Sequence, residues 1–149
     1  MKELRVSAIK DGTVIDHIPS KSTFKVVEVL NLSKLDDAVM VAQNLKSKKM
    51  KLKGIVKVAG KELTQEEVNK IALLAPTATV NIIKNYSVRK KMNLELPEML
   101  KGIIKCANPK CITNNDMVET KFHVRSTKPL RVQCHYCERY MTENDLEIL

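Results

Sequence analysis

At 149 residues the chain is long enough for one medium domain or two small ones and for a sizeable core, and too short for multidomain machinery. An apolar fraction of 44% argues against wholesale disorder, and no apolar run approaches the roughly 18 residues needed to cross a membrane. The net charge of +9 predicts an anionic partner, whether nucleic acid, membrane or small phosphate, but an aromatic content of 3% without Trp disfavours stacking of single-stranded bases.

The first ten residues, MKELRVSAIK, present no apolar signal core, so the expected location is cytoplasmic. Leu4, Val6 and Ala8 alternate as a half-buried strand. Asp11-Gly12 then turns the chain into a second run from Thr13 to Ile18, stopped by Pro19, so that a hairpin opens the protein. Ser20 to Thr23 offer caps for a first helix with Phe24, Val27 and Leu30 at helical spacing and Asn31 as its stop. Ala38 to Leu45 and Leu52 to Ala59 read as strands joined by the lysine-rich segment Lys46 to Lys51. Thr64 and Glu67 fit a capping box for a second helix, whose inward face carries Val68, Ile71, Ala72 and Ala75 before Pro76 ends it. Two further extended runs, Ala78 to Ile83 and Tyr86 to Leu96, complete an α+β pattern. The expected architecture is an antiparallel, ferredoxin-like sheet with two helices on one face.

Near Pro97 the character of the chain changes. Residues 1–95 carry 18 basic and 10 acidic side chains, whereas residues 96–149 carry 8 and 7. All four cysteines lie in this second stretch, where strand-like segments such as Lys121 to Val124 and Leu130 to Gln133 are short. The expected organisation is a domain over residues 1–96 followed by a small all-β metal-binding domain over 97–149.

Four residues lie between Cys106 and Cys111, two between Cys134 and Cys137, and 22 between the pairs. Two such loops can meet around one zinc ion, which takes four thiolates tetrahedrally. A segment this small has little core of its own, so the metal would supply much of its folding free energy. Two disulfides or a redox-active Cys134-x-x-Cys137 dithiol are the competing readings; the first is rare in cytosol and the second leaves Cys106 and Cys111 unexplained. Four sulfur ligands leave no open position for water, which makes the expected ion structural, one per chain. His123 and His135 read as surface or packing histidines beside a complete ligand set.

Lys46, Lys48, Lys49, Lys51, Lys53 and Lys57 crowd into twelve residues. The stretch to Lys51 reads as a solvated hairpin tip, but Lys53 and Lys57 alternate with Ile55 along a strand, so that both ammonium groups can face one polyphosphate. Asp16 and His17 close the opening hairpin; a carboxylate accepts from ribose hydroxyls and a phosphate makes an imidazole cationic, although taken alone the pair is better explained as a turn carboxylate beside a satisfied histidine. No glycine-rich phosphate loop is present, and no nucleophile and base pair stands out, so no catalytic residue is assigned.

At this level of detail the chain resembles the aspartate carbamoyltransferase regulatory chains. The resemblance rests on Ala8-Ile9-Lys10, on Gly12 to Pro19 (GTVIDHIP), on Ala75-Pro76 with Ala78 to Asn81 (ATVN), on Asn85-Tyr86 and on the cysteine quartet. It implies a noncatalytic allosteric subunit of pyrimidine biosynthesis. Its first domain would bind CTP or ATP, with UTP as a further effector, and would pair with a second regulatory chain; its zinc domain would dock on the catalytic chains. Carried over by position, the backbone around Val6, Ala8 and Ile9, with Tyr86, reads the base, and Asp16 and Lys57 hold the ribose. His17, Lys53 and Lys91 meet the phosphates, and Asn81, Ile83 and Val88 line the same pocket. Asn108, Glu138 and Arg139 match partner-interface positions. Ser7 and Lys110 depart from the familiar pattern, where an acidic residue and an Asn stand, and bear on effector preference and docking. The alternative reading is a zinc-ribbon nucleic-acid-binding protein, supported by net charge and weakened by the location of that charge away from the cysteines.

Overall fold

A computed structural model of the protein describes residues 8–149. The chain divides into two compact units, with the boundary between Glu95 and Leu96.

The first unit is built on a five-stranded antiparallel sheet in the order β2-β3-β1-β4-β5. Its strands are β1 (Gly12–Pro19), β2 (Val39–Ser47), β3 (Lys51–Ala59), β4 (Thr79–Lys84) and β5 (Ser87–Asn93). Two helices, α1 (Thr23–Val29) and α2 (Gln65–Leu74), complete the unit. The α+β architecture expected from the sequence is thus present. The opening-hairpin strand through Leu4 and Val6 lies outside the described residues, and Ala8 and Ile9 belong to no strand.

One face of this sheet and both helices enclose a single apolar cluster containing Ile15, Ile18, Val26, Leu30, Val56, Val58, Ile71, Ala75 and Val80. Strand alternation explains which residues enter it, because Ile15 sits opposite Val56 on one side and Val80 on the other, and directly paired residues share a face. Each fully buried isoleucine contributes about 1.5–3 kcal/mol by leaving water. A bulge in β1 between Ile15 and Ile18 adds a residue, so both isoleucines turn inward while Asp16 and His17 sit between them.

α2 starts as expected: Thr64 accepts the Glu67 N–H at 3.2 Å and the Glu67 carboxylate accepts the Thr64 N–H at 3.0 Å. The face of α1 is a correction. Phe24 is 59% exposed, whereas Leu30 is buried and Val27 packs on the core as expected, and Thr23 and Val26 are buried beside them. Thr23 sets that rotation by packing on Gly54 of β3, where a Cβ would lie 1.7 Å from the Thr23 Oγ1. The lysine-rich tip is a turn at 48–50, with Lys46, Lys48, Lys49 and Lys51 exposed, while Lys53 and Lys57 are half-buried beside the buried Ile55.

The second unit carries a four-stranded antiparallel sheet in the order β6-β7-β8-β9. These strands are β6 (Met99–Lys101), β7 (Lys121–Thr127), β8 (Leu130–Cys134) and β9 (Tyr140–Thr142), with one short helix, α3 (Ile112–Asn115). Leu100, Ile103, Ile104, Phe122, Val132 and Met141 are buried together with Cys106, Cys111 and Cys134. No helix among the described residues is long and apolar enough to cross a membrane.

Candidate functional site

The outer face of the larger sheet collects most of the residues that the resemblance assigns to a nucleotide. Lys57, Val14, Asn81 and Lys91 pair in one row across β3, β1, β4 and β5, so their side chains emerge on the face opposite the helices. Three strand spacings separate the ends of that row, about 14 Å. Asp16 and Thr79 pair one step further along the same face, and Gly12, Ile83 and Val88 form a row near its other end.

At the Asp16 end the β1 bulge produces a compact polar group. His17 adopts φ 56°, a left-handed conformation that a residue without glycine's freedom holds only when its surroundings enforce it. Here the Asp16 Oδ1 accepts the His17 backbone N–H at 2.6 Å, and the imidazole Nδ1 lies 3.2 Å from the Thr79 hydroxyl and 4.0 Å from the Asp16 carboxylate. The Thr77 hydroxyl donates to the His17 carbonyl at 2.9 Å. Lys53 reaches the same carboxylate, with its Nζ 2.9 Å from Asp16 Oδ1. This ion pair is about four-fifths shielded, its side chains 22% and 21% exposed, so an incoming anion meets an ammonium that is already positioned.

At the opposite end, Tyr86 and Val88 are 67% and 58% exposed, and Ile9 and Ile83 are buried. The Tyr86 N–H donates to the Lys10 carbonyl at 2.9 Å, which holds the β4–β5 turn beside the Ala8–Ile9 segment. Val6 and Ser7 lie outside the described residues. The structure therefore gathers Asp16, His17 and Lys53 at one end, Lys57, Asn81 and Lys91 across the middle, and Ile83, Tyr86 and Val88 with Ala8 and Ile9 at the other. Thr79 was not singled out from the sequence; a threonine within a strand carries no local signal, and only cross-strand pairing brings it to His17.

In the smaller unit the four cysteine sulfurs lie within 4.8 Å of one another. Cys106 and Cys137 are 3.6 Å apart, and Cys111 and Cys134 3.7 Å. A tetrahedron with bonds of about 2.3 Å has edges of about 3.8 Å, so the thiols fit a four-sulfur metal centre. All four are free of disulfides. Without a metal, burial pushes the Cys106 thiol up to about 12 and also raises Cys134. Burial opposes the Cys111 thiolate too, yet hydrogen bonds from the Thr113 hydroxyl and backbone and from the neighbouring thiols bring it down to about 7.

Backbone hydrogen bonds shape both ligand loops. In the first, Cys111 N–H donates to the Asn108 carbonyl at 3.0 Å, and Asn114 Nδ2 donates to the Cys106 and Asn108 carbonyls at 2.9 and 2.8 Å. In the second, Glu138 N–H donates to the Cys134 carbonyl at 3.1 Å, and Cys134 N–H to the Arg139 carbonyl at 3.0 Å. Asn108, Glu138 and Arg139 thus stand on the two cysteine loops, the last two exposed. His123 and His135 pair with each other, Nε2 to Nδ1 at 3.0 Å, and do not belong to the sulfur cluster.

Comparison with known proteins separates the same two regions. Residues 4–95 match the family model described as the aspartate carbamoyltransferase regulatory chain, allosteric domain, and residues 98–147 match its metal binding domain. The chain belongs to the aspartate carbamoyltransferase regulatory chain family. A regulatory chain from Pyrococcus horikoshii is 60% identical over 148 residues, covering 98% of this chain and 97% of the relative. One from Thermococcus sibiricus is 60% identical over 144 residues, covering 97% and 95%. The likeness extends to Parabacteroides distasonis, at 44% identity over 147 residues and coverage of 99% and 96%. The chain is accordingly a regulatory, noncatalytic subunit with an allosteric and a metal-binding domain.

Proposed function

We propose that the chain senses nucleoside triphosphates, CTP and ATP with UTP as a further effector, on the outer face of the larger sheet. The reading assigns sensing to residues 1–96 and docking on aspartate carbamoyltransferase catalytic chains to residues 97–149. The observation that carries it is the order of groups along β1. An apolar and aromatic end at Ile83, Tyr86 and Val88 leads through Lys57, Asn81 and Lys91 to the Asp16, His17 and Lys53 group. A nucleotide offers matching parts, a flat base for the apolar end and, for the carboxylate and the cations, a sugar bearing hydroxyls and a polyanion. Asp16 accepts from ribose hydroxyls in this scheme, and Lys53, His17 and Lys91 meet phosphate oxygens.

An effector shifts the enzyme only by binding its two quaternary states unequally, and such coupling typically amounts to about 1–3 kcal/mol. A purine and a pyrimidine share the phosphate cations but seat their bases differently against Ala8, Ile9 and Tyr86, which makes the base end the source of opposing responses.

Zinc is the ion proposed for Cys106, Cys111, Cys134 and Cys137, one per chain, because four thiolates at tetrahedral spacing suit a redox-inert, borderline-soft cation. Bound there, it ties the two cysteine loops together; Thr113 and the loop amides hold the thiolate charge, and Asn108, Glu138 and Arg139 are presented toward the catalytic chain. Pairing of regulatory chains is supported by β2, an edge strand of the sheet, with the exposed Phe24 and Leu52 in the same unit. The proposed location is the cytoplasm, in pyrimidine biosynthesis.

The test is to mix the chain with catalytic trimers and follow carbamoyl transfer with and without CTP and ATP. Nucleotide-dependent activity is the expected result; a mixture that assembles and ignores every triphosphate overturns the sensing role. A salt-dependent gel shift on RNA and DNA, run beside the CTP titration, separates this reading from a zinc-ribbon nucleic-acid binder.

A further inference from the structure

Asp11 is an exposed carboxylate at the entrance to β1 that sequence reasoning treats only as part of a turn. Its Oδ1 accepts the Asn85 backbone N–H at 3.1 Å, and its carbonyl accepts the Gly60 N–H at 2.9 Å. The adjoining Lys10 carbonyl accepts the Tyr86 N–H at 2.9 Å. Two successive residues therefore receive the two successive amides of the β4–β5 turn.

That turn needs the restraint. Asn85 and Tyr86 have φ of 51° and 64°, the paired left-handed conformation of a tight hairpin whose twist matches its strands. Asparagine tolerates that region, whereas the second position ordinarily calls for glycine, and a tyrosine there is unfavourable unless contacts enforce it. Residues 10 and 11 supply those contacts. The outcome is a tyrosine ring 67% exposed at the base end of the outer face, on a turn fastened to the segment that carries Ala8 and Ile9.

We propose that Asp11 is a positioning residue for the base end of the effector site, locking the strained Asn85–Tyr86 turn to the Ala8–Ile9 backbone so that ring and backbone meet the base in one geometry. This rests on the nucleotide reading above. Asp11 touches neither sugar nor phosphate in that reading, so its influence is confined to ligands that carry a base. Pre-ordering a strained turn lowers the ordering cost that the ligand would otherwise bear.

The test is calorimetric titration of the full-length, zinc-loaded chain with CTP and separately with inorganic tripolyphosphate. Asp11→Ala should weaken CTP about fivefold to tenfold, the effect of one lost solvent-exposed hydrogen bond, and leave tripolyphosphate within about twofold. Asp11→Asn, which keeps an acceptor oxygen for the Asn85 amide, should recover most of the CTP affinity. Equal CTP affinity in wild type and Asp11→Ala overturns the inference. Parallel loss for both probes overturns it as well, because that pattern marks general damage and not placement of the base. A wild-type chain that binds tripolyphosphate but shows no added affinity for CTP removes the nucleotide reading itself, and this inference with it.

Discussion

The larger unit closes two helices over one face of a five-stranded sheet and leaves the other face to a row of polar side chains, while the smaller unit, of 54 residues, places three buried cysteines among its few apolar ones. The contrast lies in what each can lose. Apolar burial is spread over many side chains, so the first fold is held by many comparable contributions. In the second, the four cysteines gather segments 22 residues apart in sequence, and an ion bound there would be the single dominant element. On the proposed reading, the sensing unit is built on distributed packing, and the docking unit on a clamp.

The largest expected effect breaks the smaller unit alone. Structural zinc in small modules is worth on the order of 10–16 kcal/mol, so chelation or Cys137→Ala should abolish its fold and its assembly with catalytic chains. The larger unit should remain folded, as read from amide signals of each unit. A normal assembly without metal would erase the contrast. Acid should act in the same direction. Cys106 and Cys134 are raised and hold protons in the metal-free form, so binding releases protons, and each such thiol lowers apparent metal affinity about tenfold per pH unit as pH falls. Metal competition at successive pH values measures this.

Ile15→Ala probes the other side of the comparison. Removing that fully buried side chain should cost about 2–5 kcal/mol in the larger unit and leave metal content unchanged, as followed by denaturant unfolding with metal analysis. Next in size is Lys57→Ala, which should weaken CTP and ATP about tenfold or more while zinc content and assembly stay normal; unchanged titrations would remove Lys57 from the site. The smallest effect is Thr64→Ala, which deletes the α2 capping box and should lower stability by about 1 kcal/mol without altering nucleotide affinity.

Legibility in the sequence followed the range of the interactions. The α2 capping box, the alternation of β1 and β3 and the cysteine spacing are local patterns, and each could be read directly. The face of α1 could not. Phe24, Val27 and Leu30 have suitable spacing, and Val27 and Leu30 do meet the core, but Phe24 is exposed, and Thr23 and Val26 are buried, Thr23 against Gly54, a residue 31 positions away. The candidate effector site was legible as residue types through the family resemblance, and illegible as a surface.

Amino-acid order alone determined the two-part organisation, the four-cysteine set and the family, because composition shifts, short-range spacing and a distinctive octapeptide are properties of neighbouring residues. Only tertiary structure decided that Lys57, Asn81 and Lys91 share a row, that the β1 bulge sets His17 against Thr79, and that Asp11 secures the turn bearing Tyr86. Those relations depend on strand register and on hydrogen bonds between segments as many as 74 positions apart, which no local pattern specifies.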